Sequence, residues 1–266
     1  MFKTRAISGA IMIVLLLLFL IRGGDLLLFV IGAISVIGMY ELYRVFHFEK
    51  KPLAYVGYAT TIVYYLNLKW NFLPDVKFLF LISLIVMLFV FVFSYPKVHA
   101  KQLLAAFFAI FYVAMMLSCV YETRMLADGK YLVWLIFICS WGCDTCAYCV
   151  GMLFGKHKMA PVLSPKKSVE GAVGGVVGAA VLAVIFGLVF NGALQMEMNQ
   201  IMILPIICAI GGLISMVGDL AASAIKRFYD IKDYGKLIPG HGGILDRFDS
   251  VIITAPIVFY LCAYLL

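Results

Sequence analysis

The stretch FLFLISLIVMLFVFVF (residues 78–93) carries no charge, no glycine and no proline, and its one polar residue is Ser83. A strand of a membrane barrel alternates polar and apolar positions with period two, and this run does not, so it reads as a helix. IMIVLLLLFLI (11–21) reads the same way. Apolar runs of about 18 residues recur along the chain, and in hydrocarbon a lone segment satisfies its backbone only as a helix. The composition agrees: 65% of the 266 residues are hydrophobic and 13% charged, with a mean hydropathy of +1.06. A soluble enzyme is excluded.

Working outward from residues 78–93, apolar runs between charged breaks predict spans near 7–21, 26–43, 53–68, 78–95, 102–121, 131–154, 171–190, 201–222 and 250–266. The expected fold is all-α, a polytopic transmembrane helical protein of about nine spans with a cytoplasmic N-terminus. The third span is short and rich in tyrosine, which leaves an interfacial or strongly tilted helix open there. The chain is treated as one integral membrane domain, 1–266, with N-terminal spans over 1–125 and catalytic spans and cytoplasmic loops over 126–266. Lys3 and Arg5 precede the first run, but IRGGD follows it without a cleavage site, so it is expected to be retained.

The net charge of +7 reflects topology rather than nucleic-acid binding. With nine spans and the N-terminus inside, sixteen of the 21 Lys and Arg fall in inner loops and five (Arg22, Lys69, Lys77, Arg124, Lys130) in outer ones. The two most polar connections, about 155–170 and 223–249, are then cytoplasmic, which favours chemistry on a cytosolic anion. The seven cysteines lie mostly in apolar segments and read as small buried thiols, not as a disulfide framework.

Ionisable residues within spans are costly and point to function, and here they are Glu41, Asp144 and Asp219, each toward an inner end. Asp246 and Asp249 begin the last span. They are three apart and project from one side of a helical turn, where they can share a cation. Carboxylates without Cys or His partners suit a hard ion such as Mg²⁺, completed by phosphate oxygens. Basic residues flank them: Lys156, Lys158, Lys166 and Lys167 in one loop, and Lys226, Arg227, Lys232, Lys236 and Arg247 in the other. Acids with bases suggest metal with phosphate, and the alternative is interfacial ion pairing with attraction to anionic lipid. IPGHGGILDRFD (238–249) has the glycines for a close backbone approach to an anion, or for a plain re-entrant turn.

Cys143, Cys146 and Cys149 imitate a metal motif, but they sit on a membrane helix without histidine and read as packing residues. Gly171, Gly174, Gly175 and Gly178 follow no strand, so they read as a small-residue helix contact rather than a nucleotide fingerprint.

SAIKRFYDIKDYGKLIPGHGGILDRFDS (223–250) resembles the signature of the phosphatidate cytidylyltransferase, or CDP-diacylglycerol synthase, family. DTCAYCVGMLFGKHKMAPVLSPKKSVEG (144–171) and VGDLAASAIKR (217–227) are similar to further motifs of that family. The resemblance implies transfer of a cytidylyl group from CTP to phosphatidic acid, giving CDP-diacylglycerol and pyrophosphate. It implies Mg²⁺, with a second cation, K⁺ or Mg²⁺, assisting in some cases. On that resemblance Asp219 and Asp246 are the leading metal ligands, with Asp144 and Asp249 as further ligands or holders of the metal's waters. Lys226, Arg227 and Arg247 would hold CTP phosphates or pyrophosphate, with Ser223 in the same set. Lys166, Lys167 and Ser168 would serve CTP or the lipid phosphate, while His241, Gly242 and Gly243 would shape the pocket. The expected setting is the inner, cytoplasmic membrane, with the site facing the cytoplasm, and small-residue helix faces permit a homodimer. A secondary transporter explains Asp144 and Asp219 but not the concentration of acids and bases on one face. A nearer rival is another CTP-using lipid enzyme, either a polyprenol kinase, which would release CDP instead of pyrophosphate, or a synthase acting on an archaeal-type ether lipid.

Overall fold

The computed structural model describes residues 2–194 and 198–266, with side chains from residue 7 onward. Lys3 and Arg5, counted above among the inner charges, lie outside the described side chains, as do residues 195–197 of the connection near 191–200. Among the described residues there are nine helical segments: α1 (Phe2–Arg22), α2 (Gly24–Val45), α3 (Pro52–Trp70), α4 (Val76–Phe93), α5 (Ala100–Met125), α6 (Gly129–Phe154), α7 (Val169–Val189), α8 (Met198–Phe228, with a turn at 202–203) and α9 (Leu245–Leu265). Seven of them, α2 and α4 to α9, are long and apolar enough to cross a membrane, and α1 is an apolar helix over its described residues Ile7–Arg22. The shortest of the seven, α4, has 18 residues and so spans about 27 Å, close to the thickness of a bilayer core.

Local sequence sets the helix ends. Pro52 opens α3, where its missing N–H costs nothing. The Asp75 carboxylate caps α4 by accepting the Lys77 N–H at 2.8 Å. The Ser168 hydroxyl caps α7 by accepting the Gly171 N–H at 3.1 Å. Two helices carry π-helical turns, Ile110–Met115 in α5 and Ile138–Gly142 in α6. The second ends two residues before Asp144, where the extra residue per turn re-aims the face that follows. Between α6 and α7 lies a feature the sequence reading took for a loop, an antiparallel hairpin of β1 (Lys158–Ala160) and β2 (Ser164–Ser168) pairing Lys158 with Ser168 and Ala160 with Ser164.

The chain divides into two compact units, residues 1–121 with 233–247, and residues 122–232 with 248–266. In the first, α3 is held by polar contacts at helix interfaces. Thr60 meets Ser83 at 2.6 Å, Tyr64 meets Ser118 at 2.9 Å, and Tyr65 meets Ser35 at 2.7 Å while donating to the Ala114 carbonyl at 3.0 Å. The tyrosines that make this segment weakly apolar are thus joined to neighbouring helices, as interhelical hydrogen bonds in a bilayer require.

In the second unit, α6, α7 and α8 meet through glycine and cysteine. A Cβ at Gly174 would sit 2.5 Å from Val150 Cβ, one at Gly178 2.5 Å from Cys146 Cβ, and one at Gly175 2.9 Å from Ala147 Cβ. On α8, Gly211 faces Cys139 and Gly212 faces Cys143 in the same way. The glycine series is a close helix contact, and Cys139, Cys143 and Cys146 are the small side chains it receives. All seven cysteines are free thiols.

Candidate active site

In the second unit, a cavity of about 480 Å³ opens beside α6, the hairpin, the start of α7 and α8. One stripe of α6 supplies Asp144, Ala147 and Gly151, spaced so that they share a helix face. β2 supplies Lys166 and Lys167, and α8 supplies Met216 and Asp219. The Lys167 ammonium forms an ion pair with Asp219 Oδ2 and lies within electrostatic reach of Asp144. Asp249, on α9, is within the same reach of Asp219, Asp144 and Lys226. Asp219, Ser223 and Lys226 follow one another at i, i+4 and i+7 along α8. Three of the four predicted metal ligands and four of the five predicted cations, Lys166, Lys167, Lys226 and Arg227, therefore belong to one unit. Lys166 is exposed at the cavity edge, and Arg227 is exposed and does not line the cavity.

The hairpin that delivers the lysines is anchored by Glu170, which lies two residues past the Ser168 cap. Its carboxylate accepts the N–H of Lys156 at 3.1 Å and of His157 at 3.2 Å, and meets His157 Nδ1 at 2.5 Å. Ser168 is buried, its hydroxyl already engaged as the α7 cap.

In the first unit, residues 234–244 form a tight loop that leads into α9. The Ile238 N–H donates to the Gly242 carbonyl at 2.8 Å and the His241 N–H to the Ile238 carbonyl at 2.9 Å, with Gly240 and Gly242 at φ 77° and 89°. Those angles are in the left-handed region, which favours glycine. Asp246 is buried, and its Oδ2 accepts the N–H of Tyr234 at 2.7 Å and of Gly243 at 2.9 Å. His241 Nδ1 lies 2.8 Å from Ser8 Oγ. The amides of His241, Gly243, Ile244 and Leu245 all have partners within the protein, so an anion at this loop would be held by other atoms. Arg247, half-buried, follows in the first turn of α9.

Among the described residues, no three His, Cys, Asp or Glu side chains converge tightly enough to cage a metal ion. The carboxylates of Asp144, Asp219 and Asp249 still suit Mg²⁺, which typically takes one or two carboxylates and completes its shell with water and phosphate oxygens. They are an all-oxygen set in mutual electrostatic reach, offset by Lys167 and Lys226 and, at Asp249, by the Ser250 N–H at 2.8 Å.

The fold is that of a multi-helix membrane protein, and its cavity combines carboxylates, lysines and apolar walls. The family profile described as Cytidylyltransferase family matches residues 3–265, and the chain belongs to that family of nucleotidyltransferases. It is 33% identical over 263 residues to the phosphatidate cytidylyltransferase of Staphylococcus aureus (strain COL), covering 96% of this chain and 97% of the relative. It is 32% identical over 265 residues to the protein of that name from Staphylococcus saprophyticus and 30% over 262 residues to that from Staphylococcus epidermidis (strain ATCC 35984), with the same coverage.

Proposed function

We propose that the protein transfers a cytidylyl group from CTP to phosphatidic acid at the cytoplasmic face of a cell membrane, supplying CDP-diacylglycerol for phospholipid synthesis. The observation that carries the reading is the cavity itself, in which two lysines and two aspartates face methionine and alanine walls. That lining fits a phosphate whose acyl chains stay in hydrocarbon.

A phosphatidate oxygen is already ionised near neutral pH and needs no general base. It attacks the α-phosphorus of CTP, the α–β bridging bond breaks on the opposite side, and pyrophosphate leaves with the bond's electrons. Catalysis then rests on in-line placement and on offsetting negative charge. Lys167, held by Asp219, faces the phosphates, and Lys166 at the edge receives the lipid phosphate. Lys226 and Ser223, on the Asp219 stripe, take the nucleotide phosphates. Asp144, Asp219 and Asp249 would hold Mg²⁺, which when bound neutralises charge on the transferred and departing phosphates. The resemblance gives Asp246 a metal-holding role as well, and its Oδ2 already ties the loop through the Tyr234 and Gly243 amides.

The test is pyrophosphate release by purified protein in detergent with CTP, phosphatidic acid and Mg²⁺, beside omission of each component and beside Asp219→Asn. Release that needs all three and vanishes in the variant supports the reading. Release of CDP in its place would assign a kinase, and no release from folded protein across several phospholipid acceptors would remove this acceptor.

A further inference from the structure

Two glycines of the 234–244 loop are not explained by backbone conformation. Gly240 and Gly242 have positive φ, but Gly235 and Gly243 do not. A Cβ on either would run into the carboxylate of Glu41, more than 190 residues away in sequence, and one at Gly235 would also meet the Gly243 Cα at 2.8 Å.

Glu41, on α2, is 3% exposed. Its Oε1 accepts the Ile244 N–H at 3.0 Å and its Oε2 the Leu245 N–H at 2.9 Å, so it holds two of the amides that the start of α9 would otherwise leave without partners. Three residues along the same helix, Arg44 donates through Nη2 to the Tyr234 carbonyl. One turn the other way, Gly38 admits the Leu245 side chain, which would lie 3.1 Å from a Cβ there. Asp246 closes the loop from inside by joining Tyr234 to Gly243. A helix cap accounts for two of these contacts. It does not account for the fit of Gly235 and Gly243 around the same carboxylate, or for the Arg44 tie at the loop's other end.

We propose that Glu41 is a positioning residue for the transfer reaction. Its carboxylate is the template on which residues 234–246 are moulded, and through that loop it fixes where His241 and Asp246 stand. The assignment rests on the proposed reaction for its kinetic consequence and on the loop alone for its structural one.

The experiment combines Glu41→Gln with a double-mutant cycle of Glu41→Ala and Gly243→Ala. It reads kcat and KM for CTP by pyrophosphate release, and amide exchange by mass spectrometry. The backbone at 243 is outside the left-handed region, and the three atoms nearest a Cβ there all belong to the Glu41 carboxylate. Glu41→Gln and Gly243→Ala should each lower kcat about 10- to 100-fold, the cost of slight misplacement, with KM for CTP little changed. Exchange should accelerate over 234–246 and not in the other helices. In the Glu41→Ala background, Gly243→Ala should cost nothing further, since contacting residues are non-additive. Full kcat in Glu41→Gln, additive losses in the cycle, or faster exchange across every helix would each overturn the proposal, the last by marking Glu41 as a general stabiliser. If the wild-type protein releases no pyrophosphate, the reaction reading fails, and the exchange cycle still decides whether Glu41 shapes the loop.

Discussion

Lys167 and Asp219 form an ion pair that is about three-quarters shielded, with side-chain exposures of 24% and 27%. A pair in this setting needs both partners, because removing one leaves a desolvated charge uncompensated. Lys167→Met should therefore lower pyrophosphate release by about 10²–10³-fold, the usual loss on deleting one charge-stabilising donor. Asp246 separates two roles. Asparagine keeps an oxygen for the Tyr234 and Gly243 amides but removes the charge, whereas alanine removes both. The expected outcome is no turnover in either variant, with amide exchange over 234–243 unchanged in Asp246→Asn and accelerated in Asp246→Ala. Wild-type turnover in Asp246→Asn would reduce Asp246 to a loop tie. Chelation should abolish activity and added Mg²⁺ restore it, as a carboxylate set without Cys or His implies. At this scale Asp144 and Asp219 could be read from sequence because charge inside a span stands out. The second job of Asp246 could not, because it depends on the path of a loop that only the folded backbone defines. Glu41 stood out as an ionisable residue, but nothing local to it names partners more than 190 residues away.

The elements divide in the same way. The α6–α7 contact was legible, since glycines at 171, 174, 175 and 178 have the spacing of a helix-packing face, and the structure seats Val150, Cys146 and Ala147 against them. Gly174→Leu should lower stability by about 1–3 kcal/mol through overpacking, seen as a lower midpoint in thermal unfolding in detergent. Cys146→Ala, which only shrinks the opposing side chain, should leave both stability and turnover nearly unchanged. The hairpin was not legible. SPKKS has a proline, two adjacent lysines and no apolar alternation, so nothing in it announces a strand. What holds it is Glu170, together with the register Lys158–Ser168. Glu170→Gln should accelerate amide exchange over 156–160 and raise KM for phosphatidic acid more than it lowers kcat, because Lys166, which receives the lipid phosphate, and Lys167 would lose a fixed support. An unchanged exchange pattern would show that strand pairing alone suffices. The π-turn before Asp144 was equally hidden, since a single extra residue in a helix leaves no trace in an apolar sequence.

For the whole molecule, whether α3 crosses decides which way every later loop faces. Its 19 residues span about 28 Å, enough to cross, although its polar side chains keep it apart from the most apolar helices. If α3 crosses and the N-terminus is inside, sixteen Lys and Arg lie in inner loops against five in outer ones. If α3 lies along the interface instead, every later loop changes side, and the same residues divide nine inside and twelve outside. Basic residues accumulate on the cytoplasmic side, so only the crossing arrangement agrees with the bias that orients membrane proteins. That arrangement also puts the β1–β2 hairpin and the 229–244 loop in the cytosol, where CTP is. A membrane-impermeant amine reagent applied to sealed vesicles, followed by peptide mass spectrometry, tests it on the unaltered chain. Lys158, Lys166, Lys232 and Lys236 should be modified in inverted vesicles and protected in right-side-out ones, while Lys69, Lys77 and Lys130 show the opposite pattern. Modification of Lys77 and Lys166 from opposite sides requires an odd number of crossings between them and fits α4, α5 and α6 all spanning. Modification of Lys51 and Lys77 from the same side would take α3 out of the membrane and move the cavity to the outer face, where CTP could not reach it.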